Sequence, residues 1–319
     1  MAWQSTHANS PPARCAAKAT AVNATAGSGV RRKRRGAPSK PLAPGERVGV
    51  FEIRRLIGFG ATAHVYAAAA PDGELVAVKL MRSEFARNAE FRRRFELETR
   101  VLRALESPNA PLLIGSGATH DEIPFIAMEL SRGPTLLERL KQGPLPLSET
   151  VEIGRQLLLA LEHMHSRCLI HCDVKPSNLL IEPQGLGAPR VKLIDFGLCA
   201  LAGFRDPAKK PRGTLAYMSP EQLWCKPLDE LTDVYSAAAV LYTVLAGRRP
   251  YQCETRRATL ESMLCDEIPP ISMFRPSCPR ELESVVMRGL SRRRNERHLS
   301  ASAMRVSWLR AAQVHSVAA

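Results

Sequence analysis

The sequence predicts an α+β fold of two lobes: a small β-rich lobe with one main helix, followed by a larger helical lobe. Three observations predict it. Short apolar runs broken by glycine fill FEIRRLIGFGATAHVYAAAA (51–70) and ELVAVKLM (74–81), and another run occupies PFIAMEL (124–130); such runs read as strands. Between them, Phe91, Phe95, Glu98, Leu102 and Leu105 recur by fours and threes along 88–106, which is one face of a helix. Beyond residue 147 the helical period takes over, at 148–167, 219–225, 230–246 and in several helices to about 311.

The implied organisation is a basic N-terminal segment at 1–45 expected to be disordered, a first lobe at 46–131, a second at 132–312 and a short tail at 313–319. The chain of 319 residues carries a net charge of +14, and the first 45 residues hold eight Lys/Arg and no acid. More than half the excess charge therefore belongs to that segment and says little about the lobes. Its Ala/Ser/Thr/Pro/Gly texture lacks apolar periodicity. RRKRR, Arg31 to Arg35, reads as a nuclear address, a weak nucleic-acid or anionic-surface contact, part of a transit peptide, or a solubilising tail.

The eight cysteines are scattered without CxxC or Cys/His ligand spacing, which argues against a zinc site or a disulfide framework and for reduced thiols. VYSAAAVLYTVLA (234–246) is the longest candidate apolar run. It is too short to span a membrane and reads as a buried helix. No transmembrane segment or signal-peptide apolar stretch is expected, and a cytoplasmic location is the expectation, with nuclear, organellar and exported locations left open by the basic tail.

HCDVKPSN (171–178) crowds His171, Asp173, Lys175 and Asn178 between apolar flanks. Upstream, GFGATAHV (58–65) is a glycine turn between strands, where Gly58 and Gly60 let backbone approach a phosphate. Lys79 lies on the next strand, and Glu98 on the apolar face of the helix. A carboxylate there needs a cationic partner, because an unpaired buried charge costs several kcal/mol. IDFG (194–197) adds Asp195, and with Asn178 it supplies hard oxygen ligands suited to Mg²⁺ on nucleotide phosphates. Asp173 would orient and deprotonate an attacking hydroxyl while Lys175 balances charge on the phosphoryl group, which is what phosphoryl transfer demands.

In this order the motifs resemble those of the eukaryotic-like, or Hanks-type, protein serine/threonine kinases. The resemblance runs from residue 51 to about 311 and includes GTLAYMSPE (213–221), Asp233 and Arg297. It implies a two-lobed protein-kinase fold, ATP with Mg²⁺ (or Mn²⁺) as cofactors and a protein Ser/Thr substrate. DVKPSN and Thr214 resemble the Ser/Thr branch, and Thr214 joins Asp173 and Lys175 as a candidate catalytic residue. By the same resemblance, Met128 would be the gatekeeper beside the adenine, and the backbone of Glu129 and Ser131 would bond its edge. Ile57, Val65, Ala77 and Leu180 would wall the base. Asp233 would hold the catalytic loop from below, and Arg297 would pair with Glu221. A catalytically weak pseudokinase or scaffold on the same fold is the alternative, and a small-molecule phosphotransferase a further one. The oligomeric state is not indicated.

Three positions depart from the family pattern: Ala63 replaces the third glycine of the phosphate loop, Ser219 an alanine, and Cys172 the arginine of the His-Arg-Asp motif. In many members that arginine reads an activation-loop phosphate, through charge-assisted bonds worth roughly 1.5–3 kcal/mol each. LCALAGFRDPAKKPR (198–212) contains no Ser, Thr or Tyr, so the reader and the site are missing together. Activity without phosphorylation of this loop is expected. Arg205, Lys209, Lys210 and Arg212 make it basic, a feature suited to acidic substrates. Cys172 and Cys199 are also expected to lie near one another, which raises a redox switch as a lesser expectation.

Overall fold

The computed structural model describes residues 40–185, 187–201 and 213–318, with side chains to residue 314. RRKRR and the basic residues Arg205, Lys209, Lys210 and Arg212 lie outside the described residues. The first lobe is an antiparallel sheet built from β1 (Arg47–Val48), β2 (Phe51–Phe59), β3 (Ala63–Ala69), β4 (Leu75–Met81), β5 (Leu113–Ala118) and β6 (Pro124–Glu129), in the order β1-β2-β3-β4-β6-β5. Side chains alternate across a strand. Val76, Val78 and Leu80 accordingly join Ile53, Tyr66 and Ala127 in a core on one face, while Ala77 and Lys79 point to the other. Against that other face packs α1 (Ala89–Ala104), capped by the Asn88 side chain, which accepts from the backbone N–H of Glu90 and Phe91. Its buried residues are Phe95, Glu98, Val101 and Leu102; Leu105 at its C-cap is buried and Phe91 partly so, and Val101 joins the stripe that the sequence spacing predicts.

Residues just ahead of β1 already pack on the first lobe. Leu42 packs on the first-lobe core, and its N–H donates to Tyr66 Oη at 3.1 Å. Apolar Leu42 supplies burial that the surrounding polar composition masks. Strand β5 (LIGSGA) is likewise absent from the sequence expectation, because its small residues sit half-wet at the sheet edge and show no apolar alternation.

The second lobe comprises α2 (Leu136–Lys141), α3 (Leu147–His165), β7 (Leu169–Ile170), β8 (Leu179–Gln184), β9 (Gly187–Leu193), β10 (Ala200–Leu201), α4 (Pro220–Leu223), α5 (Glu230–Ala246), α6 (Arg256–Cys265), α7 (Arg280–Gly289) and α8 (Ala301–Ala318). Strands β7 and β10 pair antiparallel, as do β8 and β9. Every residue from Thr232 to Leu245 is buried, so α5 is a core helix enclosed on all sides, mostly apolar but carrying Asp233 inward. It ends at Gly247 in the left-handed conformation, φ 69°. Helices α3 and α8 meet at Gly154, where a Cβ would come within 2.6 Å of Trp308 Nε1. The indole N–H donates to Val151 O at 2.9 Å.

Candidate active site

Alternation along β4 turns Lys79 towards the cleft, and the apolar stripe of α1 turns Glu98 towards Lys79. The Lys79 Nζ stands 2.6 and 2.8 Å from Glu98 Oε1 and Oε2, and 3.0 Å from Asp195 Oδ1. Burial opposes the Lys79 charge, yet Glu98 and Asp195 outweigh it and hold the ammonium above its ordinary pKa. Burial lifts the Glu98 carboxyl while Lys79 opposes that rise. Lys79 also holds the Asp195 carboxyl at about 2, against the opposing effect of burial. Asp195 is thus a carboxylate at any physiological pH.

The loop at 171–178 is built on strain and its compensation. Cys172 and Asp195 adopt left-handed backbone, φ 66° and 67°, a conformation that disfavours residues with a Cβ. Asp233, in the first turn of α5, holds the first of these: its carboxylate accepts from the N–H of His171 at 2.7 Å and of Cys172 at 2.9 Å, and it is 2.9 Å from His165 Nε2. Burial would raise the Asp233 carboxyl, but the bond to His165 and the backbone N–H donors keep it below its ordinary value. The N-cap of α5 is Asp229, which leaves Asp233 free for the loop. Burial lowers the His171 pKa. The neutral ring accepts from Asp173 N–H at its Nδ1, 3.2 Å, and faces Ile194 O with Nε2, 3.3 Å.

Both oxygens of Asp173 are engaged. Oδ2 lies 2.5 Å from Lys175 Nζ and 3.3 Å from Asn178 Nδ2, and Oδ1 accepts from the Thr214 backbone N–H at 3.1 Å. The contact from Thr214 comes from its backbone. Asn178 Nδ2 also donates to Asp173 O at 2.9 Å, so the amide nitrogen is committed to the loop and the carbonyl oxygen is the atom left for a cation. Among the described residues no group of three or more His, Cys, Asp or Glu could hold a metal. The amide oxygen of Asn178 and the half-exposed carboxylate of Asp195 fit a hard divalent cation that completes its shell with phosphate oxygens and water.

On the nucleotide side, Gly60 N–H donates to Ala63 O at 2.9 Å, and a Cβ on Gly60 would meet that oxygen at 2.8 Å. Sheet register sets Val65 opposite both Gly58 and Lys79, and Ala77 opposite Met128. Ala77 is buried, Val65, Met128, Ser131 and Leu180 are half-buried, and Ile57 lies at the exposed mouth. Glu129 N–H is taken by Leu112 O, and its carboxylate by buried Lys192 of β9 and by Leu112 N–H. The Ser131 hydroxyl is buried without a hydrogen-bond partner among the described residues.

On the other side of Asp173, Ser219 caps α4 in a reciprocal pair with Gln222. Gln222 Nε2 donates to Cys172 O at 2.7 Å, tying α4 to the loop. Arg297 reaches Glu221 with two bonds of 2.8 and 3.0 Å, both residues being buried. An open groove of about 310 Å³ runs from Thr214 and Leu215 to Arg249, Cys253, Arg256 and Thr259.

The sequence that carries this arrangement matches the protein kinase domain family over residues 51–309. The chain belongs to the protein kinase domain family. This kinase domain is 32% identical over 254 residues to the serine/threonine-protein kinase PrkC of Bacillus subtilis, covering 78% of this chain and 38% of that protein. It is 32% identical over 261 residues to the serine/threonine-protein kinase PknH of Mycobacterium tuberculosis, covering 81% of this chain and 41% of PknH. The chain thus spans about two-fifths of the length of these curated relatives. Among solved structures it is similar to the Mycobacterium tuberculosis PknI kinase domain, with a TM-score of 0.67 and 26% identity over 86% of this chain and all of the other.

Two contributions to this kinase domain are invisible in the sequence. Lys192, only 2% exposed, ties the end of β6 to β9 through Glu129; a lysine alternating with Val191 and Leu193 reads as solvent-facing, and only the pairing reveals its partner. Asn109 clamps the turn after α1 to the second lobe, donating to Gln156 Oε1 at 3.0 Å and to Val191 O at 2.7 Å. An asparagine beside a proline-flanked turn carries no signal for so distant a contact. Cys172 and Cys199 are both buried, and burial pushes the Cys199 thiol well up, with Cys172 adding to it. Such a thiol is poorly nucleophilic, which weighs against the redox switch.

Proposed function

We propose that this chain is a protein serine/threonine kinase that transfers the γ-phosphate of ATP to a protein hydroxyl, and that its activation segment works without being phosphorylated. The observation that carries the reading is Lys79 bridging Glu98 and Asp195 while Asp173 is held by Lys175 and Thr214. In kinases the lysine–glutamate pair and the metal-binding aspartate must both be in place for transfer, and residues 198–212 include no Ser, Thr or Tyr to carry an ordering phosphate. Asp173 orients the substrate hydroxyl and takes its proton as that oxygen bonds to the γ-phosphorus and the bond to ADP breaks. Lys175, beside Asp173, offsets charge on the phosphoryl oxygens. Lys79 holds the phosphates of the bound nucleotide, and Glu98 fixes its direction. A divalent ion held by Asn178 and Asp195, Mg²⁺ or Mn²⁺, supplies charge neutralisation on the phosphates when bound.

The adenine is assigned to the pocket of Ile57, Val65, Ala77, Met128 and Leu180, with the backbone of Glu129 and Ser131 at its edge. The peptide is assigned to the groove beyond Thr214. Arg249 and Arg256 there outnumber Glu254, which favours acidic residues near the acceptor hydroxyl. No helix among the described residues is long and apolar enough to cross a membrane. A reducing, cytoplasmic setting is proposed from the cysteine spacing, which shows no disulfide framework.

The test is phosphate transfer from Mg-ATP to casein or myelin basic protein by the full chain after phosphatase treatment. Linear product formation from the first time point is expected. A lag that shortens with enzyme concentration would overturn activity without loop phosphorylation. Bound nucleotide with no transfer to any acceptor would overturn the kinase reading.

A further inference from the structure

We propose that Arg82 is a positioning residue that latches the tip of the phosphate loop over the nucleotide phosphates. The proposal rests on the kinase reading above, and it concerns a residue outside the motifs of the nucleotide site. Arg82 follows the last residue of β4, three positions beyond Lys79. Its backbone N–H donates to Thr62 O at 2.9 Å. Its guanidinium Nη1 donates to Ala61 O at 3.1 Å. The two carbonyls at the tip of the loop are therefore held by one residue, and one of those bonds is charge-assisted.

The guanidinium is itself fixed. Phe59 from the loop lies 5.7 Å from it and Phe85 lies 5.9 Å from it, so the cation contacts two aromatic rings. Nη2 meets Glu84 at 2.6 Å, and the Arg82 side chain is only 15% exposed. Phe59 stacks in turn on His64, its partner across the loop, with centroids 4.7 Å apart. Phe85 packs on Phe91, in the first turn of α1, at 4.6 Å. A continuous stack thus leads from the helix that carries Glu98 to the loop that covers the phosphates.

The latch gives a physical use to two oddities of the loop. Phe59 is 67% exposed, a poor place for an aromatic ring unless it has a face to cover, and Arg82 and His64 supply those faces. Ala63, where the family has glycine, narrows the backbone freedom of the loop. The Arg82 contacts to Ala61 and Thr62 restrain the same turn from outside. Both changes favour a loop held closed before the nucleotide arrives, and preorganisation of this kind improves affinity by removing the ordering penalty.

The test separates the phosphates from the base. Dissociation constants of the full chain for Mg-ATP and for adenosine are measured by calorimetry for the wild type, Arg82→Met, Arg82→Lys and Phe59→Ala. Losing one charge-assisted bond and its stacking should weaken Mg-ATP roughly tenfold in Arg82→Met, with adenosine within about twofold. Lysine keeps the charge without the planar fork, so Arg82→Lys should recover only part of the loss. Phe59→Ala, at an exposed site that does not threaten folding, should weaken Mg-ATP several-fold and leave adenosine alone. Equal weakening of both ligands, or unchanged Mg-ATP affinity in either Arg82→Met or Phe59→Ala, overturns the latch. A wild type that binds adenosine and Mg-ATP alike, or neither, overturns the nucleotide reading beneath it and the latch together.

Discussion

Replacing Arg297 by methionine removes the cation paired with Glu221, and the structure fixes the consequence. Arg297 is fully buried and Glu221 is 2% exposed. The guanidinium also donates to Leu231 O and Ser291 O, each at 2.8 Å, and faces Tyr235 at 5.0 Å. Methionine fills similar space but leaves a buried carboxylate with only the hydroxyls of Thr232, at 3.1 Å, and Ser219 as described side-chain partners. Breaking one side of a buried pair costs about 3–5 kcal/mol. At about 2–4 °C per kcal/mol for a domain of this size, Arg297→Met should melt some 6–20 °C lower. Equilibrium urea unfolding of Arg297→Met, Glu221→Gln and the double variant closes a cycle. The double variant should be less destabilised than the sum of the singles by about 1–3 kcal/mol, because removing both charges leaves neither stranded. Burial raises the Glu221 carboxyl, but Arg297 pulls it below its ordinary value. The pair's contribution is therefore present above an ordinary glutamate pKa of about 4.3 and is lost as pH falls through the folded value. Wild type should lose stability on acidification more steeply than Glu221→Gln. Additive single-variant effects, or no difference in acid, would refute the reasoning.

Other parts of the site carry their own expected outcomes. Carboxyl NMR titration should find Asp195 near 2 in the wild type, and Lys79→Met should return it towards about 3.9; a value unmoved by the substitution contradicts the assigned cause. Gly154→Ala should destabilise the protein although alanine is the better helix former by about 1 kcal/mol, since its Cβ would strike the ring of Trp308 at 2.6 to 2.9 Å; a raised melting temperature contradicts the packing of α3 on α8. Peptide acceptors with Asp or Glu beside the phosphorylated Ser/Thr should show higher kcat/KM than their Lys counterparts, and Arg256→Glu should narrow or reverse that preference. An unchanged ranking contradicts the proposed role of the groove.

How far the sequence reveals the site depends on the range of each interaction. Glu98 is legible because Phe91, Phe95, Leu102 and Leu105 define a face and a carboxylate on that face must be paired. Lys79 is legible as its partner because only alternation on one strand is needed to aim it. Asp233 is different. Its donors lie between 61 and 68 residues away, and no local pattern announces them; only the family resemblance does. The resemblance also leaves contacts unannounced. It offers Thr214 as a candidate catalytic residue, and the structure adds a bond from the Thr214 backbone N–H to Asp173. It uses the backbone of Glu129, while the structure adds a side-chain bond to buried Lys192. Arg82 is illegible for a related reason: its role emerges only when Ala61, Phe59 and Phe85 converge on one guanidinium.

In the proposed reaction Asp173, held between Lys175 and Thr214, deprotonates the acceptor hydroxyl while Lys79, Asn178 and Asp195 hold the nucleotide and its metal. Asp173→Asn tests it most directly, because the amide keeps the shape of the side chain and removes the base. The rate of phosphate transfer from Mg-ATP to protein by this variant should fall at least 100-fold, the lower end of the usual contribution of general base catalysis, with Mg-ATP affinity within about threefold of wild type. Transfer by Asp173→Asn at a rate close to that of the wild type would contradict the account.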